Sequence, residues 1–200
     1  MNKKFEITNP LKKRFSIISS VSNANSKKFE IKDKTPDWFQ QTNSYDCGPC
    51  LILNALRRIS NVKYIPKNIE EVRRDVNKLR SGDFSLVQLA PNGWFTSQDV
   101  SEYLIKFAGL EVKEFACFTD ETELVSQNIH KELENILPKM IYSTLNRHFR
   151  GFIPTPTGYE VLDSFNDCPK MINIEEVNEM ISESINQSTP TRVERIGIVR

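Results

Sequence analysis

The chain has 200 residues, of which 38 % are hydrophobic, with 27 Lys and Arg against 26 Asp and Glu and a formal net charge of +1. That balance argues against a general polyanion-binding surface, and so against a nucleic-acid binder, although it leaves a local basic patch open. With two histidines and four cysteines, a histidine-dependent site must use His130 or His148, and a thiol-dependent one must use Cys47, Cys50, Cys117 or Cys168.

Residues 1–35 are rich in Lys, Asn and Ser, with short apolar patches at Phe15-Ser16-Ile17-Ile18 and Phe29-Glu30-Ile31. They read as an N-terminal arm or edge segment, and residues 36–200 as one globular domain. The opening Met1 to Pro10 has no secretory apolar region, and no stretch reaches the roughly 18 apolar residues needed to span a bilayer. The expectation is a soluble, cytoplasmic protein without a membrane span. Sparse cysteines suit a reducing compartment.

Cys47 to Ile59 reads as a helix with an apolar stripe on one face, Asp46 at the N-cap and Pro49 in the first turn, where a missing N–H costs nothing. A second helix is expected over Asn68 to Leu79, where Ile69, Val72, Val76 and Leu79 recur at spacings of three and four. Thr96 or Ser97 caps a third, Gln98 to Ala108, and Gly109 is placed to end it in the left-handed conformation. Leu110 to Phe115 alternates as a strand, and Glu121 to Leu137 reads as a helix stopped at Pro138.

The period then changes. Lys139 to Ser143, His148 to Ile153 and Tyr159 to Asp163 read as a meander, the last two joined by the turn-like Pro154-Thr155-Pro156-Thr157-Gly158. A helix over Ile174 to Ile185 and a closing strand over Glu194 to Val199 complete the chain. Helices followed by antiparallel strands make an α+β pattern.

The stretch richest in chemistry is Gln41-Thr42-Asn43-Ser44-Tyr45-Asp46-Cys47-Gly48-Pro49-Cys50. A cysteine in the first turn of a helix faces unpaired N–H groups and the positive end of the macrodipole, both of which favour thiolate. The Cys47 N–H can also donate to an oxyanion, and Gln41 in the preceding loop can supply a second donor. A thiolate nucleophile needs a proton shuttle, and histidine is tuned for that near neutrality. His148 opens one strand, and Asp163 closes the next, 15 residues on. A strand of about six residues, a turn of about five and a return of about five fit that length. The carboxylate can then orient the imidazole across the ladder.

Gln41, then Cys47 within Asp46-Cys47-Gly48, then His148 and Asp163, resembles the papain-like cysteine peptidases. The likeness is closest to the branch of bacteriocin-leader-processing (double-glycine) peptidases and their stand-alone relatives, and it spans Trp38 to Val199. Gly93-Trp94-Phe95-Thr96-Ser97, leading into the helix that ends Phe107-Ala108-Gly109-Leu110, looks like that family's central helix and its exit. The resemblance implies a papain-like fold, in which an N-terminal helical lobe packs its nucleophile helix on an antiparallel sheet. It also implies cleavage of a peptide or isopeptide bond in a peptide or protein substrate through an acyl-enzyme. Cys47 would be nucleophile, His148 base, Asp163 its orienting partner and Gln41 the oxyanion donor, with no metal or organic cofactor. This chain lacks the membrane and ATPase domains of transporter-linked members, so leader processing coupled to export is not implied. Arg150 departs from the family, which tends to be apolar there.

Competing readings rest on the same residues. Cys47-Gly48-Pro49-Cys50 is also the thioredoxin tetrapeptide, which would make the chain a dithiol oxidoreductase. A polar loop precedes it, however, and no βαβ unit lies upstream. A papain-like module without catalysis is the third reading. The single CxxC pair has no second pair or suitably spaced histidine, which argues against structural zinc. Asp167 rivals Asp163 but lies past the strand, and His130 reads as a solvated helix residue. Tyr45 and Trp94 could line a cleft, with core packing the equal alternative for Trp94, and Cys117 and Cys168 read as unpaired thiols.

Overall fold

The computed structural model describes residues 38–81, 94–118, 120–135, 137–189 and 191–200. The expected arm over residues 1–35 and Gly93 lie outside them. Among the described residues, five helices, α1 (Cys47–Leu56), α2 (Ile69–Arg80), α3 (Ser97–Lys106), α4 (Thr122–Asn135) and α5 (Ile174–Asn186), accompany six strands. These are β1 (Val112–Cys117), β2 (Met140–Leu145), β3 (His148–Thr155), β4 (Gly158–Asp163), β5 (Lys170–Ile172) and β6 (Glu194–Val199). The strands form one antiparallel sheet in the order β1-β6-β2-β3-β4-β5. The fold is therefore α+β. Among the described residues, no helix is long and apolar enough to cross a membrane.

Strand alternation sorts the core into two clusters. Phe149, Ile153, Leu162, Met140 and Tyr142 face α1, α2 and α3, whereas Phe152, Val161, Ile141, Ile196 and Ile198 face α4 and α5. Every residue of α1 is buried, so its apolar stripe widens into a fully enclosed helix. Leu51, Ile52, Leu53 and Leu56 together withdraw enough apolar surface to contribute about 2 kcal/mol each. The polar exception, Asn54, is satisfied by clasping the backbone of Phe39 at both ends, at 2.9 Å each. Gly151 lets β3 approach α1 closely, because a Cβ there would stand 2.6 Å from Leu51 Cδ1.

Several boundaries differ from the sequence reading for physical reasons. Helix α1 ends at Leu56, not Ile59, and Arg58 leaves it to pair with Glu160 of β4 at 2.6 Å. Asp46 occupies the N-cap position but makes no cap hydrogen bond. Its carboxylate instead accepts from Arg73 at 2.7 Å, Asn43 at 2.8 Å and Thr42 at 3.1 Å. By contrast, Thr96 and Asp99 form a full capping box at α3, and Gly109 takes φ +70° after it. Asp99 also receives a bidentate ion pair from Arg80 at 2.6 and 2.9 Å, while Arg80 holds the Trp94 carbonyl at 3.1 Å. That buried pair fixes the segment carrying Trp94 and Phe95 against α2.

The expected five-residue turn after β3 is a two-residue one. β3 continues through Pro154 to Thr155, opposite Gly158. Pro154 lies past the last β2 partner, Ile141↔Phe152, so it has one neighbouring strand and its missing N–H is tolerated. β1 sits two residues later than read, and the three-residue edge strand β5 is too short to leave a periodic signal.

Candidate active site

The four residues singled out from the sequence converge where the N-terminus of α1 meets the ends of β3 and β4. Cys47 opens α1 and is 4 % exposed. Its thiol donates to the Arg147 carbonyl at 3.8 Å. Among the described residues, the N–H groups of Cys47 and Gly48 have no acceptor, since the hydrogen bonds entering the helix run from Asp46 N to Asn43 and from Cys50 N to Asp46. Gly48 is required by contact: a Cβ there would lie 2.6 Å from Phe95 Cβ.

Gln41 is placed from two sides. Its N–H donates to the Ser164 carbonyl at 3.1 Å, and its side-chain Oε1 accepts from Ser164 Oγ at 2.6 Å. The Nε2 end of the amide is then left as a donor. Trp38 anchors the same segment by donating from Nε1 to the Asn166 carbonyl at 2.9 Å. Ser164 and Asn54, which hold this segment, gave no sequence signal because their partners are backbone or lie more than a hundred residues away.

His148 follows the tight β2–β3 turn, whose two central residues, Asn146 and Arg147, both have positive φ, 53° and 64°. Asparagine suits that conformation, whereas Arg147 is strained in it. His148 is the first residue of β3 and is buried. Its Nε2 bonds Asp163 Oδ1 at 2.8 Å. With that nitrogen engaged, Nδ1 is the ring atom left for the Cys47 thiol, whose interaction with the ring helps to raise the His148 pKa.

The residue directly opposite Asp163 in the ladder is Arg150, with His148 on the diagonal. Arg150, the departure from the family pattern, is half-buried and donates from Nε to Asp163 Oδ2 at 3.1 Å. The Phe165 N–H donates to Oδ1 at 3.0 Å, so the carboxylate has three partners. The Phe165 ring stacks on His148 with centroids 4.1 Å apart and planes at 23°. Continuing the β4 register two residues past its end puts Phe165 opposite His148, which explains the stack. Sequence reading missed Phe165 because it lies outside the strand.

Burial pulls the His148 pKa down, but hydrogen bonds to Asp163 and Cys47 and their negative charge outweigh it, and the net shift is upward. Burial pushes Asp163 up, yet the bonds from His148 and the Phe165 N–H and the charges of His148 and Arg150 leave it below the usual carboxylate value. The raised histidine stabilises the fold fully below its unfolded pKa near 6.5 and loses this as pH rises through the folded value. The lowered aspartate stabilises it above 3.8 and loses this as pH falls through its folded value. Both contributions are therefore complete between those two unfolded pKa values.

Asp163→Asn is expected to lower the His148 titration midpoint, because burial is then opposed by Cys47 alone. Ring-proton NMR reads this directly, with His130 as the second histidine for reference. An unchanged midpoint would remove Asp163 as the group that charges the ring.

The remaining candidates lie elsewhere. Asp167 meets Cys168, not His148. His130 lies half-buried on α4, across the sheet from α1. Cys50 is fully buried, and burial, with Asp46 and Cys47 nearby, pushes its thiol up to about 12. All four cysteines are free. Tyr45 and Trp94 are both 41 % exposed and meet edge to face at 5.0 Å, so Trp94 is not a core residue. Trp94 lines a groove of about 630 Å³ that reaches Arg147 beside the thiol. Tyr45 lines a second cavity of about 600 Å³ with Asp46 and Arg73.

No protein-family model matches the chain, and no curated protein matches it in sequence. Among solved structures, the crystal structure of UfSP from C. elegans is similar at 10 % identity and a TM-score of 0.46, covering 82 % of this chain and 32 % of that one. The present chain thus spans about a third of the length of the structure it matches.

Proposed function

We propose that the chain is a papain-like thiol hydrolase, folded as one domain over residues 36–200, that cleaves a peptide or isopeptide bond through an acyl-enzyme on Cys47. The observation that carries this reading is the gathering of the Cys47 thiol, at an uncapped helix N-terminus, with the His148 ring, whose pKa it helps to raise, and with Asp163, 2.8 Å from that ring. The site's motif order supports the papain-like family, with the double-glycine branch as its nearest likeness. A cytoplasmic setting fits four unpaired thiols.

In the first half-reaction, His148 Nδ1 takes the thiol proton and Sγ attacks the scissile carbonyl carbon. The developing oxyanion is held by the Cys47 N–H and Gln41 Nε2. Collapse breaks the C–N bond, and the leaving amine takes the proton from His148. Water then enters, gives a proton to His148 and attacks the thioester, and the acid leaves as the proton returns to Sγ. Asp163 keeps the ring oriented and its charge balanced throughout.

The dithiol reading is disfavoured, because a resolving thiol that is fully enclosed and raised to about 12 is a poor partner for exchange. Cys50→Ser is therefore expected to retain peptide hydrolysis and rapid iodoacetamide labelling of Cys47. Loss of activity in that variant with the fold intact would favour redox chemistry. Failure of the wild-type chain to be acylated by any peptide-like electrophile would favour a module without catalysis.

A further inference from the structure

The groove beside the nucleophile has a charge pattern that hydrolysis alone does not use. It is lined by Arg147, Arg192 and Arg195 against Glu114 and Glu194, with Trp94, Phe95 and Phe149 supplying apolar wall. Both carboxylates have a partner, Glu194 an arginine and Glu114 a neutral hydroxyl. Glu194 is 2 % exposed, pairs with Arg192 at 3.1 Å and accepts from the Asn146 N–H at 3.0 Å. Glu114 accepts from the Tyr142 hydroxyl. Among the described residues, neither Arg147 nor Arg195 has a carboxylate within ion-pairing distance.

Two arginines with no carboxylate in ion-pairing distance among the described residues therefore line one groove. The start of the ten-residue helix α3, at Ser97 and Gln98, lines it too. Arg147 ties this charge to the reaction centre, because its own carbonyl receives the Cys47 thiol at 3.8 Å. Its strained φ of 64° holds it at that corner. Arg195 is fixed at the far wall by β6, its N–H donating to Thr144 Oγ1 at 2.7 Å.

We propose that this groove recognises an acidic side chain of the substrate, so that the preferred substrate is a peptide or protein segment carrying Asp or Glu within a few residues of the scissile bond. Guanidinium forks match carboxylates geometrically, and a partly desolvated groove screens the attraction less than open surface does. The overall charge of +1 conceals this local field. The assignment deepens the hydrolase reading and rests on it for the word substrate, although the binding step can be read without turnover.

The test has two arms. In the first, a decapeptide of Glu is expected to slow iodoacetamide alkylation of Cys47 about tenfold more than a decapeptide of Gln at low ionic strength. That difference should disappear in the Arg147→Asn, Arg195→Gln double variant, in which Asn keeps the left-handed turn. In the second arm, quenched peptides carrying Glu, Gln or Lys at each position around the scissile bond are compared as ratios within each protein. Glu should exceed Gln by about three- to tenfold at one or more positions in wild type, and the ratio should fall to about one in the double variant. Equal protection by the two decapeptides, or a Glu preference that survives the double variant, overturns the proposal. Acidic protection without cleavage of any peptide would sustain the groove assignment and count against the hydrolase reading, so the two failures are distinguishable.

Discussion

Cys47→Ser is expected to abolish turnover, lowering kcat/KM by about three orders of magnitude or more. The replacement is nearly isosteric in a first turn where Gly48 and Phe95 leave no slack, so the helix and its unpaired N–H groups should survive. What changes is the acidity of the attacking group. A hydroxyl ionises far less readily than a thiol, and an imidazole tuned to take a proton from sulfur is a weak base toward it. The measurement is hydrolysis of a quenched peptide together with mass-spectrometric detection of the acyl adduct, which wild type should form and the variant should not. A variant that still hydrolysed at a tenth of the wild-type rate would place the nucleophile elsewhere. The other cysteines are poorly placed to substitute. Cys50 and Cys117 are fully buried, with thiols pushed up to about 12 by burial, and Cys168 sits beside Asp167, which raises its pKa.

His148→Ala is expected to cost about two to four orders of magnitude in hydrolysis and to slow iodoacetamide labelling of Cys47 to the rate of an ordinary thiol. The structure makes this variant readable. Removing His148 takes one partner from Asp163, but Arg150 at 3.1 Å and the Phe165 N–H at 3.0 Å remain, so the carboxylate is not left as an unpaired buried charge. The fold should persist, with thermal unfolding near that of wild type, while the chemistry is lost. The only other histidine, His130, is on α4 across the sheet and cannot take over. Unchanged labelling kinetics would mean that His148 does not activate the thiol. The same contact set explains why Arg150 sits where an apolar residue was expected: it holds one carboxylate oxygen so that the other stays directed at the ring.

The sequence made several elements of this site legible. Local pattern placed Cys47 at a helix start, and Pro49 and the apolar run after it are consequences of that start. Thr96, Asp99 and Gly109 announced α3 through capping chemistry that acts within a few residues. The β2-β3-β4 meander and the placing of His148 and Asp163 at strand ends followed from β-prone runs and turn residues.

Other features have no local cause. Asp46 looks like an N-cap residue, and only the packing of α2 brings Arg73 to claim its carboxylate. The turn between β3 and β4 was read as five residues, since Pro and Gly mark turns without fixing their length. Shortening it to two sets the register, which puts Arg150 opposite Asp163, His148 on the diagonal and Phe165 over the ring.

By itself, then, the sequence determined the α+β class, the helix carrying Cys47 with its apolar stripe and the short list of side chains able to do acid–base and thiol chemistry. Those follow from periodicity and capping, which are interactions between residues a turn or a strand apart. Only the tertiary structure decided that β6, the last described strand, lies between β1 and β2, that Gln41 is held by Ser164, and that Arg147 and Arg195 share a groove in which, among the described residues, neither has a carboxylate partner. Such contacts join residues tens to more than a hundred positions apart, and their geometry is set by sheet register and helix packing, which no local pattern encodes.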